Sequence, residues 1–195
     1  MRVPPAEFLA LDLEVHRRLK GVPLRDVSVV DLPDGGDDRT IADVRRLLEA
    51  ARRRPPLAVR VLVGLRRALG RLFHWDGEQP EPAYASRLSE EQRRRSLSPS
   101  GAVSGPLRLL YEFPYEMLGE ARNATVHAFS CMALRARPGG YRLYWAIYVE
   151  NVSAFTPLYM AAIEPFRRFV VYPMTLASIR AGWASLPPRR AAPGA

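Results

Sequence analysis

His127 and Glu150 are the pair best placed by sequence to exchange a proton. They lie on either side of Pro138-Gly139-Gly140, a strong hairpin signal between two runs of alternating residues. A four-residue loop Arg137 to Gly140 sets His127 opposite Glu150, Phe129 opposite Tyr148 and Ala133 opposite Tyr144, all on one sheet face. An imidazole held by a carboxylate is the arrangement of a general base. It is also a common structural pair, and that is the expected role here, because no nucleophile or oxyanion donor accompanies it in the sequence. The other candidates are weaker. His74 and Asp76 flank Trp75 and read as a helix-end cap, His16 stands alone on a first helix and reads as a surface residue, and Cys131 reads as a small buried apolar side chain. No H-E-x-x-H, G-x-S-x-G, G-x-G-x-x-G or P-loop spacing occurs, so neither a metal nor an organic cofactor is expected.

The same hairpin carries a binding expectation. One face mixes Phe129, Tyr144, Tyr148, His127 and Glu150, which suits a ligand cavity with a few orienting polar groups, a half-exposed outer face or a dimer contact. The other face carries Val126, Met132, Leu134, Leu143, Trp145, Ile147 and Val149 and reads as core. A loop one residue different would exchange the two faces. Under the cavity reading, the lining is Phe129, Tyr144 and Tyr148 from the sheet and Tyr159, Met160 and Phe166 from a C-terminal helix. Arg167 would reach an anionic ligand group at the mouth; Glu164, at helical pairing distance from Arg167 and Arg168, favours a local ion pair instead.

A rival site is basic. Arginines 45, 46, 52, 53, 54, 60, 66, 67 and 71 crowd two adjacent helices with Glu49 as the only acid among them. Arg60, Arg67 and Arg71 share a helix face that could track phosphates. No interleaved aromatic platform or nucleic-acid motif accompanies them, so a solvated face is expected and a nucleic-acid partner is not.

The elements that position these residues follow from periodicity. Residues 6–20 read as a helix with Phe8, Leu11, Val15 and Leu19 on one face, and residues 25–32 as a strand ending at Pro33-Asp34-Gly35-Gly36. Thr40 and Asp43 start a helix, and Pro55-Pro56 ends it and begins another. Residues 75–105 read as a long surface loop with one helical turn near Glu90. Strands follow at 107–113, 122–137 and 141–152, then a helix from Thr156-Pro157 to about Trp183, kinked or broken at Pro165 and Pro173. The tail 187–195 is expected to be disordered. Segregated helices and strands make an α+β fold, drawn as a curved antiparallel sheet on a long C-terminal helix with extra N-terminal helices, in one domain over 1–186.

Composition bounds the rest. The 195 residues are 48% hydrophobic and 25% charged with a single cysteine, which excludes wholesale disorder, a disulfide framework and a multi-cysteine metal site. The net charge of +9 is almost all arginine, Lys20 being the sole lysine, which points to the codon bias of a GC-rich genome more than to a polyanionic partner. Residues 143–163 approach the length of a membrane span. Glu150, Asn151 and Thr156-Pro157 interrupt them, so a strand followed by a helix is expected, in a soluble cytoplasmic protein without a signal peptide.

The stretch Tyr144-Trp145-Ala146-Ile147-Tyr148-Val149, then Tyr159-Met160, Ile163-Glu164-Pro165-Phe166-Arg167-Arg168 and Val171-Tyr172-Pro173, resembles the end of the bacterial domain of unknown function 2867 family. Leu65-Arg66-Arg67-Ala68-Leu69-Gly70 and Phe73-His74-Trp75-Asp76 resemble its early helix. The resemblance implies no settled activity. Some members carry the domain behind an NAD(P)-binding reductase-like domain, and relatives commonly have His where this chain has Arg167, so it gives no support to proton transfer there. It also implies a helix-grip layout like that of START and Bet v 1 proteins, which enclose an apolar ligand. The expected function is therefore binding of an apolar or aromatic small molecule between sheet and C-terminal helix. The alternatives are an enzyme using His127 and Glu150 in that cavity, and an arginine-rich interaction module; a homodimer is compatible with each.

Overall fold

The computed structural model describes residues 1–34, 38–53, 60, 64, 88–122, 126–152 and 156–186. Two short helices, α1 (Pro5–Leu9) and α2 (Glu14–Arg18), precede strand β1 (Leu24–Pro33) and helix α3 (Ile41–Arg53). After α4 (Glu90–Arg95) come β2 (Val103–Ser104), β3 (Leu107–Phe113), β4 (Glu116–Arg122), β5 (His127–Arg137) and β6 (Gly140–Glu150). The chain then runs through α5 (Thr156–Phe166), a π-helical segment (Arg167–Val171) and α6 (Tyr172–Ala184).

The six strands form one antiparallel sheet in the order β1-β6-β5-β4-β3-β2. The first strand thus pairs with the last, the intervening strands form a meander, and the C-terminal helices pack back on the sheet. That is a helix-grip-like α+β architecture. The hairpin register is the expected one: His127 pairs with Glu150, Phe129 with Tyr148, Ala133 with Tyr144 and Arg137 with Gly140. Gly139 and Gly140 make the turn with φ of 79° and 142°, values that side chains rarely tolerate.

Alternation along each strand divides the core between two faces. One face holds Val27, Val29, Phe129, Cys131, Ala133, Tyr144, Ala146 and Tyr148, buried under Phe8, Leu13, Val15 and Leu19 of the N-terminal segment. The opposite face holds Leu32, Met132, Leu134 and Leu143, buried under Ile41, Val44 and Leu48 of α3 and Leu176, Ile179 and Trp183 of α6. At its far end, Val126 and Val149 meet Met160 of α5.

Three expectations need correction. The first helix is two helices, because Leu13 is extended between them (φ −130°, ψ 142°) and drives its side chain into the core. The stretch 75–105, described from residue 88, has the expected helical turn near Glu90, α4, started by a Ser89/Gln92 capping box, but Val103–Ser104 is not loop: it pairs with β3. An unexpected strand, β4, lies between β3 and β5. Its residues Glu-Met-Leu-Gly-Glu-Ala favour helix by propensity, but pairing on both sides outweighs that preference. The C-terminal helix is broken into pieces, as expected, by a π segment between its two prolines. Pro165 sits inside α5, and Pro173, which has no N–H to give, follows one π turn in which the Tyr172 amide bonds to the Arg167 carbonyl. The second arginine-bearing helix, the His74–Asp76 stretch and the tail 187–195 lie outside the described residues, Arg60 and Gly64 apart.

Candidate functional site

The helix-bearing face of the sheet carries a half-open cavity of about 150 Å³. Its walls are Val126, Ala128, Phe129 and Ser130 of β5, Ile147 of β6, Leu107 of β3, Met160 and Ile163 of α5, and Arg167 of the π segment. It therefore lies between sheet and C-terminal helix. Met160, Phe129 and Arg167 of the expected lining belong to it. Tyr144 and Tyr148 do not: both point to the opposite face, where the Tyr144 hydroxyl donates to Glu7 Oε1 at 2.9 Å. The side chain of Phe129 is also packed in that opposite core. Phe166 is 46% exposed, and the side chain of Tyr159 lies outside the described residues. The aromatic face was the wrong face for a cavity, because α1 and α2 fill it.

Next to the cavity stands a charged cluster. Arg167 Nη2 donates to Asp26 Oδ2 at 2.7 Å and also bonds the Tyr172 hydroxyl. Asp26 Oδ1 and Arg167 Nη1 are buried without a hydrogen-bond partner. Glu164 lies 3.7 Å from Arg167 and takes its close ion pair, 2.6 Å, from Arg2. Burial pushes the Asp26 carboxyl above its ordinary value, although Arg167 and Arg2 pull it down. Burial also pushes the Tyr172 phenol up. Asp26 sits where the β1–β6 register slips between Leu24 and Asp26, a bulge that breaks regular pairing at this edge. Arg167, expected to pair locally with Glu164, is thus held more closely by Asp26 of β1, and Arg168 stacks on Phe169 instead of joining it.

His127 forms a second cluster, on the opposite face from the cavity. Its Nδ1 lies 2.6 Å from Glu150 Oε2, and its Nε2 lies 2.5 Å from Glu120 Oε1. The Glu120 contact had no sequence signal, since it needs β4, which was not anticipated. An imidazolium donates to both carboxylates at once. The ring also packs against Phe129, with centroids 4.5 Å apart. Glu120 and His127 are buried, while the Glu150 side chain is 44% exposed. The ring thus bridges two carboxylates and ties β4, β5 and β6; the alternative that placed His127 and Glu150 in the cavity is corrected by the strand alternation.

His16 is not a free surface residue. Its Nε2 contacts the Phe8 carbonyl at 3.2 Å, and its Nδ1 meets the Tyr148 hydroxyl at 3.3 Å. Because a carbonyl only accepts, Nε2 donates to Phe8, and Nδ1 shares the second contact with the Tyr148 hydroxyl. Cys131 is buried, and burial raises its thiol well above the ordinary range. Among the described residues no group of three or more His, Cys, Asp or Glu side chains could hold a metal ion.

The basic face is largely paired where it is described. Arg45 bonds Glu112 and Glu49, Arg46 pairs with Asp43, and Arg52 donates to Ser104. Arg60 is exposed, and Arg66, Arg67 and Arg71 lie outside the described residues. No helix among the described residues is long and apolar enough to cross a membrane. Residues 143–163 end one strand and begin α5.

No curated protein matches the sequence. Among solved structures, the di-domain ARO/CYC StfQ from the steffimycin biosynthetic pathway is similar, with a TM-score of 0.37 and 12% identity. The match covers 88% of this chain and 55% of that one, so this chain spans about half of its length. The family model described as "Protein of unknown function (DUF2867)" matches residues 18–174, most of the chain, and the protein belongs to that family.

Proposed function

We propose that this protein holds a small apolar or aromatic molecule between the sheet and the C-terminal helices. The observation that carries this reading is the cavity of about 150 Å³ whose described walls are apolar apart from Ser130 and Arg167. A cavity of roughly that volume is enough for a benzene-sized guest. The polar groups are few and lie at fixed positions, as in sites that orient an otherwise hydrophobic ligand.

An acid–base enzyme is the second reading, favoured by the placement of His127 between two carboxylates. It would need a substrate on the face covered by α1 and α2, away from the cavity.

Native mass spectrometry of the purified protein, with identification of whatever denaturation releases, tests the first reading. A released apolar metabolite, or saturable binding of added one-ring aromatics, supports it. Failure of the whole one-ring series to bind the apo protein contradicts it.

A further inference from the structure

Strand alternation points the Ser130 side chain toward the C-terminal helices, into the cavity, where among the described wall residues only Arg167 is also polar. The two polar walls differ in what they have left to give. Arg167 spends Nη2 on Asp26 and Tyr172, and its Nη1 is shielded from solvent and hence from a guest in the cavity. Ser130 Oγ accepts from Trp145 Nε1 at 2.8 Å, and its own proton has no acceptor among the described residues. Its cross-strand neighbours are Gly119 and Ile147, neither of which has a polar side chain to offer. A hydroxyl has one donor and two acceptor sites. Here the indole fixes one acceptor site and polarises the O–H, leaving the donor as the free polar function among the described walls.

We propose that Ser130 is the donor that orients the guest, and that the guest is a one-ring molecule bearing a neutral carbonyl oxygen. The proposal rests on the cavity reading above and adds the chemical class. A carboxylate guest is disfavoured on two counts. Asp26 and Glu164 already face Arg167, and the other described walls, Leu107, Val126, Ala128, Phe129, Ile147, Met160 and Ile163, have no polar side chain to offer an anion.

The full chain is titrated with acetophenone, ethylbenzene and benzoate, following side-chain methyl resonances, and the series is repeated on Ser130→Ala. Acetophenone is expected to bind about two- to tenfold more tightly than ethylbenzene, the range of one neutral hydrogen bond. Ser130→Ala is expected to erase that preference, so that acetophenone and ethylbenzene bind the variant equally. Equal binding of the two by the parent protein, or a preference that survives in Ser130→Ala, overturns the proposal while the cavity reading stands. Tighter binding of benzoate than of acetophenone also overturns it and assigns recognition to Arg167. If none of the three binds, the cavity reading falls and this proposal with it.

Discussion

Replacing Arg167 by Met leaves a side chain of similar reach but removes the charge that compensates Asp26. The carboxylate it abandons is 4% exposed and only 2.7 Å from the guanidinium. Breaking a buried pair by deleting one partner costs about 3–5 kcal/mol, because the remaining charge is stranded. Asp26 has a way to shed part of that cost: it takes a proton, and its carboxyl is already held above the ordinary value by burial. The sign follows from proton counting. A carboxyl whose folded pKa lies above its unfolded one binds more protons in the native state across that window, so stability falls as pH rises through it. Losing Arg167 removes a contribution that pulls the folded value down, so the window extends upward and the fall deepens. The expected loss is about 3 kcal/mol near pH 8 and about half of that near pH 5. Urea unfolding at both pH values reads this directly, with a constant slope confirming that compactness is unchanged. Adding Asp26→Asn to Arg167→Met should recover most of the loss and flatten its pH dependence. An equal loss at both pH values, or a double variant no more stable than the single, refutes the reasoning.

His127→Ala strands the buried Glu120 and should cost about 2–4 kcal/mol in urea unfolding. Glu150→Gln should cost no more than about 1 kcal/mol, since that carboxylate is 44% exposed. At the hairpin, a Cβ on Gly140 would stand 2.3 Å from the Leu32 carbonyl oxygen, whereas one on Gly139 meets nothing within 4 Å. Gly139→Ala should therefore cost only the left-handed backbone penalty of about 1–2 kcal/mol, and Gly140→Ala clearly more, measured by thermal unfolding. Ala128→Leu fills the cavity: melting should shift little, within about 1 kcal/mol, while the stabilisation conferred by saturating ethylbenzene should disappear.

How much of this was legible in the sequence depended on whether the signal was local. Pro138-Gly139-Gly140 fixed the hairpin, and with it the pairing of His127 with Glu150, since turn length alone determines register. Thr40, Asp43 and the Ile41, Val44, Leu48 spacing placed α3. The choice of cavity face was not legible. Both faces of β5 and β6 are apolar, and which one receives α1 and α2 is decided by tertiary packing that neither strand encodes. β4 was missed because Glu116, Met117, Leu118 and Ala121 favour helix, and its absence hid Glu120 as the second partner of His127. Asp26 as the partner of Arg167 is a contact between residues 141 positions apart, joined by a bulge that no residue pattern announced.

The most direct test is a methyl NMR titration of the full protein with ethylbenzene, with Val126, Ile147, Met160 and Ile163 assigned beside Val15, Val27 and Val29. Saturable shifts confined to the first group are expected, because those methyls line the cavity and the second group is packed under α1 and α2. Shifts at Val15, Val27 and Val29 with silence at Ile147 and Met160 would place the site on the opposite face and contradict the account.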